Sequence, residues 1–137
     1  MALVLDTGPL LAALDAADPD HEACARLLTE ATEDLVVPAL VLPELAYWCS
    51  RRLPGEAWLV FLDDVIAGAY RVEAPTPQDL ERCRSLQGTY GDLGLGVVDA
   101  SIIALVERLG EAKVATLDRR HFGVVRPRHV DVLRIVP

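Results

Sequence analysis

The stretch ALVL at residues 2–5, followed at once by DTGP at residues 6–9, decides the fold class of this chain. A short apolar run that ends at turn-forming residues is typical of a strand buried on both faces, as in a parallel sheet. Pro9 favours the first turn of a helix. The chain is therefore expected to pass directly from a buried strand into a helix, with Asp6 at the junction.

Strands and helices are predicted to alternate along the rest of the chain. Further strands are expected at residues 34–37, 70–72, 113–116 and 132–135, and a glycine-rich loop at 88–96. Helices are expected at residues 20–31, from Ala39 or Pro43 to about Arg52, at 56–67, after Thr76 and at 97–109. This order predicts an α/β fold, a three-layer α/β/α sandwich around a parallel sheet of about five strands. Residues 1–137 contain no repeat or linker and are expected to form a single domain.

The composition is that of a globular protein, with 52% hydrophobic and 25% charged residues. The formal net charge of −8 counts against nucleic-acid binding, because such proteins are usually basic. Acidic residues that bind divalent cations would weaken this objection, since the bound ions reverse the local potential. The three cysteines form no CxxC pair and are expected to be buried in a reducing compartment. With no signal peptide or membrane span in the sequence, a cytoplasmic location is expected.

Four acidic residues are predicted to lie at the carboxyl ends of the strands, where open parallel sheets form their functional sites. Asp6 follows the first strand, and Glu44 lies early in the helix after the second. Asp99 lies in the first turn of the helix at 97–109, and Asp118 follows the fourth strand. Taken alone, each of the three aspartates could simply cap a helix or complement the charge of a helix end. Together the four carboxylates would repel one another, and a divalent cation would remove that repulsion.

Neighbouring residues could support such a site. Thr7 could bond a metal-bound water or orient Asp6, or it could cap the first helix, and Thr116 has similar options. Arg119 could hold a scissile phosphate, although exposed arginines are commonly just solvated. Asp92 could be an additional acid at the rim of the site or an ordinary loop residue.

His121 is a candidate general base, but its place beside Phe122 fits packing better. Two apolar stripes could form interfaces or face the core: Trp48 with Leu45, and Trp58, Phe61, Leu62 with Ile66.

Four segments resemble the motifs of the PIN-domain nucleases, in particular the VapC-type toxins of VapBC toxin–antitoxin pairs. They are LDTGPL at 5–10, VLPELAY at 41–47, GVVDASIIA at 96–104 and ATLDRRHF at 115–122. The resemblance covers nearly the whole chain. It implies a helix-sandwiched sheet, dependence on Mg²⁺ and cleavage of single-stranded RNA. It also implies a homodimer that is neutralised by a small VapB-like antitoxin.

The chain is accordingly expected to be an endoribonuclease toxin of a type II toxin–antitoxin system that hydrolyses phosphodiester bonds with metal-activated water. The expected catalytic residues and metal ligands are Asp6, Glu44, Asp99 and Asp118. All-oxygen ligation suits Mg²⁺, for which Mn²⁺ could substitute. The alternative is a catalytically silent PIN-like domain that only binds RNA or a partner.

Two other sheet folds that place an aspartate after the first strand fit poorly. A phosphatase of the haloacid dehalogenase type needs a second aspartate where Gly8 stands. That class and receiver domains both need a well-placed lysine, and Lys113 is the only lysine in the chain.

Overall fold

The computed structural model describes residues 1–137 and contains five strands and seven α-helices. The strands are β1 (Ala2–Leu5), β2 (Asp34–Pro38), β3 (Arg71–Glu73), β4 (Lys113–Ala115) and β5 (Arg134–Val136). The helices are α1 (Thr7–Leu14), α2 (His21–Glu30), α3 (Val41–Arg52), α4 (Ala57–Ile66), α5 (Pro77–Thr89), α6 (Val97–Leu109) and α7 (Arg119–Val124). A single 3₁₀ turn spans Gly91–Leu93.

The five strands form one parallel sheet in the order β3-β2-β1-β4-β5. β1 lies at its centre and is buried along its whole length, as its unbroken apolar sequence predicts. Because strand crossovers are right-handed, α1 to α4 cover one face of the sheet and α5 to α7 cover the other. The predicted three-layer α/β/α sandwich is thereby confirmed.

The order of the strands places a switch point between β1 and β4, where the chain changes its direction of progress across the sheet. Crevices at the carboxyl ends of such strands are the usual ligand sites of open α/β sheets. α3 and α6 both begin at this edge, because α3 follows β2 and α6 precedes β4. The fold therefore directs two strand ends and two helix starts toward the same crevice.

The core is mainly aliphatic, since only 5% of the residues are aromatic. All three cysteines are buried and unpaired, which agrees with their predicted role as small apolar residues. No helix combines the length and the apolar character that a bilayer-spanning segment requires.

The apolar stripe predicted on α4 is divided between the core and the surface. Phe61 is only 1% exposed and lies between the rings of Trp58 and Tyr70, with centroid distances of 5.6 and 5.3 Å. Ile66, by contrast, is 82% exposed. The stripe is therefore not one surface, because Phe61 belongs to the monomer core.

Several element boundaries differ from the prediction by a few residues for local reasons. α1 begins at Thr7 and not at Pro9, because the Asp6 carboxylate accepts a hydrogen bond from the Thr7 amide at 2.7 Å. β2 continues through Pro38, which pairs with Glu73 on β3. The predicted loop at 88–96 contains the last two residues of α5 and the 3₁₀ turn.

Candidate active site

The structure brings Asp6, Glu44, Asp99 and Asp118 together along one open cleft of about 270 Å³. This cleft, named here the acidic cleft, lies at the switch point between β1 and β4. Its other lining residues are Thr7, Gly8, Leu11, Trp48 and Arg52. Each acid reaches the cleft from the strand end or helix start on which the sequence pattern had placed it.

Asp6 is held in place by two hydrogen bonds at the end of β1. Its Oδ1 accepts from the Thr7 amide, and its Oδ2 accepts from the Thr116 hydroxyl, both at 2.7 Å. Burial raises the pKa of Asp6, the two hydrogen bonds partly oppose this, and the charges of Glu44 and Asp118 raise the pKa further. The Asp6 carboxyl is thus rigidly oriented in surroundings that disfavour its charge.

The hydroxyl of Thr7 connects this strand end to α3. It donates a hydrogen bond to Glu44 Oε1 at 2.5 Å. Of the three predicted roles for the Thr7 side chain, orienting Asp6 is taken over by the backbone amide of Thr7, and capping α1 is taken over by Asp6. The hydroxyl orients Glu44 instead, a contact that sequence reasoning did not identify.

Asp118 is fixed from two sides at the start of α7. Its amide donates to the Thr116 hydroxyl at 3.0 Å, and its Oδ1 caps α7 by accepting from the His121 amide at 3.0 Å. The His121 ring donates from Nδ1 to Asp118 Oδ2 at 2.5 Å, while Nε2 faces the Leu93 carbonyl at 3.3 Å. The hydrogen bond to Asp118 is the main reason that the pKa of His121 is raised.

Asp99 is the acid whose negative charge is least compensated by hydrogen bonds or nearby cations. Burial raises its pKa to about 6, and the neighbouring charges of Asp6 and Asp118 add to the effect. The nearest cationic group is His121, whose Nδ1 lies 3.7 Å from Asp99 Oδ2. Burial also raises the pKa of Asp118, but its hydrogen bonds from His121 outweigh this and keep it below the usual range. Two carboxyls of one cleft are thus shifted in opposite directions, as is common in functional sites.

The family model for the PIN domain matches residues 3–126. Ribonuclease VapC26 of Mycobacterium tuberculosis is 34% identical over 125 residues, which cover 91% of this chain and 93% of that protein. The chain is a PIN-domain protein of the VapC type. The resemblance stated from the four sequence motifs is thereby confirmed.

Two solved structures have the same fold as this PIN domain. VapC20 of M. tuberculosis, described as a toxin that cleaves the sarcin–ricin loop, has a TM-score of 0.78 at 20% identity, covering 85% of this chain and 90% of that one. VapBC2 of Rickettsia felis, bound to a DNA fragment from its promoter, has a TM-score of 0.71 at 18% identity, covering both chains fully. At these identities the likeness concerns the fold.

The acidic cleft of this PIN domain is suited to a divalent cation. The pKa values of Asp6 and Asp99 are raised because burial and the neighbouring carboxylates disfavour their charged forms, and a bound cation would offset both effects. His121 forms a compact group of possible ligands with Asp99 and Asp118, but while its Nδ1 donates a proton to Asp118 Oδ2 that nitrogen offers no lone pair to a metal. The remaining donors are carboxylate oxygens, which fit Mg²⁺ or Mn²⁺ and not zinc.

Two predicted supporting residues lie outside the acidic cleft. The Arg119 guanidinium donates to the Pro137 carbonyl at 3.3 Å, because the chain terminus lies beside the start of α7. Asp92 is exposed in the 3₁₀ turn and does not line the cleft. The neighbouring Leu93 contributes instead, through its carbonyl contact with His121.

Two residues that line the cleft were not predicted to do so from the sequence. Trp48 and Arg52 follow Glu44 at intervals of four residues, and this spacing places all three on one side of α3. The signal was available, since the helix and its acid were both predicted. His121, assigned to packing from the sequence, is a hydrogen-bond donor to Asp118, and Phe122 is the residue that packs in the core.

Proposed function

We propose that this PIN domain is an Mg²⁺-dependent endoribonuclease and the toxin of a type II toxin–antitoxin pair. The observation that carries the proposal is the meeting of four carboxylates in one cleft at the switch point of the sheet. Identity of 34% to a protein named a ribonuclease supports RNA as the substrate.

In this proposal Asp6, Glu44, Asp99 and Asp118 hold the metal, with Mn²⁺ able to replace Mg²⁺. The bound cation supplies Lewis acidity, which lowers the pKa of water and stabilises charge on the phosphodiester. The chain's own contribution is to orient the carboxylates. Thr116 and the Thr7 amide fix Asp6, and the Thr7 hydroxyl fixes Glu44.

His121 orients Asp118, the proposed ligand that follows β4. By donating to Asp118 Oδ2 it fixes one carboxylate oxygen and lowers the pKa of that carboxyl. His121 is therefore a positioning residue in this proposal and not a general base.

The proposed partners are a second copy of the chain and a small VapB-like antitoxin encoded beside it. Toxin–antitoxin complexes among the proteins of similar fold support the antitoxin. Leu59 and Ile66 are exposed on α4, and exposed apolar surface is typical of interfaces. Since the proposed substrate is cellular RNA, the proposed place of action is the cytoplasm.

The test is cleavage of single-stranded RNA by the purified protein with Mg²⁺, with Mn²⁺ and with a chelator. Asp6→Asn, Glu44→Gln, Asp99→Asn and Asp118→Asn should each lower kcat at least about 100-fold, as loss of a group that stabilises transition-state charge does. Asp131→Asn and Glu81→Gln make the same changes at exposed positions outside the cleft and should retain wild-type rates.

Two results would contradict the proposal. Near-wild-type cleavage by three of the four cleft variants would show that the carboxylates are not the catalytic ligands. RNA binding by the wild type without cleavage in either metal would favour the silent PIN-like domain.

A further inference from the structure

The last two turns of α3 carry a repeated aromatic–arginine pattern, YWCSRR at residues 47–52. Each arginine lies four residues after an aromatic residue and therefore on the same side of the helix. The Arg51 guanidinium carbon lies 5.0 Å from the centre of the Tyr47 ring, and that of Arg52 lies 4.8 Å from the Trp48 ring. The two rings meet edge to face at 5.1 Å.

This cluster, named here the arginine track, leads directly out of the acidic cleft. Glu44, Trp48 and Arg52 all line the cleft, and Arg52 is the one lysine or arginine among its lining residues. Successive positions four residues apart are separated by about 6 Å along a helix axis. Arg52 therefore lies about two helical turns from Glu44. Arg51 and Tyr47, which is 49% exposed, continue the track onto the surface.

The arginines of the track have no acidic partner within the protein. No salt bridge of the protein involves Arg51 or Arg52, although aspartate and glutamate outnumber lysine and arginine by 21 to 13. Their side chains lie over aromatic rings, an arrangement that orients a guanidinium while leaving its donors open. Both arginines lie in the last turn of α3, where positive charge complements the helix dipole, but neither guanidinium makes a hydrogen bond to the last carbonyl groups, so their donors stay available.

We propose that Arg52, oriented by Trp48 and continued by Arg51 over Tyr47, binds backbone phosphates of single-stranded RNA beside the scissile bond. The inference rests on the proposed ribonuclease function and adds the residues that position its substrate. A bound divalent cation would offset the charge of the cleft at the scissile phosphate, and a cation at the exit of the cleft would hold the neighbouring phosphates of the strand. Arginine suits this task because its planar fork matches phosphate oxygens.

The test is the kinetics of RNA cleavage by Arg52→Ala, Arg52→Lys and the wild type, with Arg84→Ala as the control. Arg84 is exposed, forms no salt bridge and lies on α5, away from the cleft. Arg52→Ala should raise KM about tenfold or more, the scale for a lost bond to a charged group, and change kcat by less than about twofold. Arg52→Lys should fall between, because it keeps the charge and loses the fork.

The salt dependence of RNA binding is a second measurement, and it would not change if Arg52 had only a structural role. A short fluorescein-labelled RNA is titrated with the Asp99→Asn protein, which binds without cutting. The slope of log Kd against log salt concentration should decrease by about 0.7 in the Arg52→Ala background, the value for one phosphate contact to a single strand. Arg84→Ala should leave the slope unchanged.

The role of Trp48 is tested by a double-mutant cycle. Trp48→Leu should raise KM less than Arg52→Ala does, and the double variant should be no worse than Arg52→Ala alone. If Trp48→Leu fails to fold, Tyr47→Leu with Arg51→Ala tests the same coupling at the exposed pair.

The outcomes separate this inference from the proposed function. A wild type that neither binds nor cuts RNA refutes both. A wild type that cuts RNA while Arg52→Ala keeps its KM and salt slope refutes the arginine track alone. If Arg52→Ala changes only inhibition by the antitoxin, the track is a protein contact and the assignment to RNA is wrong.

Discussion

Replacing Asp99 with asparagine should stabilise the metal-free protein at neutral pH. Asp99 lies in the first turn of α6, is 21% exposed and has no hydrogen-bonded cation. Asparagine has the same shape without the charge, so it removes both the desolvation cost and the repulsion from Asp6 and Asp118. A substitution in a ribonuclease site would then increase stability while abolishing activity.

The magnitude follows from the pKa of Asp99, which is about 6 in the folded protein against an ordinary value of 3.8. At about 1.4 kcal/mol per pKa unit, the ionised carboxylate destabilises the fold by at most about 3 kcal/mol. Solvent at the open side of the cleft screens part of this, so an increase of about 1–3 kcal/mol is expected. For a domain of this size that corresponds to a rise in Tm of roughly 4–10 °C.

The sign of the pH dependence follows from the raised pKa. Well below the ordinary pKa of 3.8, the folded and unfolded states are both protonated at Asp99, and the penalty is absent. As the pH rises toward 6, the unfolded state loses its proton first, so the wild type becomes progressively less stable. Above about pH 6 the full penalty is present. The advantage of Asp99→Asn should therefore grow across this window and be complete at pH 7.5.

The assay is chemical denaturation of the wild type and Asp99→Asn at pH 4.5 and pH 7.5, with and without Mg²⁺. Mg²⁺ should stabilise the wild type, because it binds the folded state alone, and should stabilise the variant much less. Asp131→Asn, at an exposed position, controls for the loss of one negative charge. An Asp99→Asn protein that is less stable than the wild type at pH 7.5 without metal would refute the reasoning about electrostatic crowding.

Two further predictions concern the same cleft, and a third concerns the proposed partners. The RNA products should carry a 5′-phosphate and a 3′-hydroxyl, since the proposed nucleophile is metal-activated water; detection of a 2′,3′-cyclic phosphate by mass spectrometry would contradict this. Thr7→Val should lower kcat/KM about tenfold or more by releasing Glu44, whereas Thr7→Ser should keep most of the activity. Light scattering should give the mass of a dimer, and co-expression with the adjacent small reading frame should yield an inhibited complex; a monomer with no co-purifying partner would argue against both interfaces.

The parts of the fold that could be predicted are those where burial imposes a pattern. β1 is buried on both faces and α6 carries an apolar run ended by Gly110, so their predicted boundaries match the structure. β3 and β5 lie at the sheet edges, where half-exposed residues give little apolar signal, and their predictions are displaced by one or two residues. The order of the strands has no local signal, because it depends on which strands pair.

The candidate site divides in the same way. The carboxylates could be predicted because a residue that follows a parallel strand must lie at the carboxyl edge, whatever its side-chain partners. Partners depend on distances between segments, so the bond from Thr7 to Glu44 and that from His121 to Asp118 were not predicted. The direction of Arg119 was missed because it depends on where the last residue, Pro137, lies.

A comparison of the buried Asp79 with the half-buried Asp99 separates acids that serve the fold from acids that await a ligand. Asp79 is 5% exposed, but its carboxylate accepts from the Thr76 amide in a capping box and from Arg108 Nε at 3.0 Å. The one cationic neighbour of Asp99 is His121, which lies beyond hydrogen-bond distance, and the pKa of Asp99 is raised. A carboxylate that stabilises a fold has its charge satisfied within the protein, as Asp79 does. Asp99 destabilises the fold in its ionised form, and only a cation from solution would reverse that effect, so its place in the chain is explained by binding and not by stability.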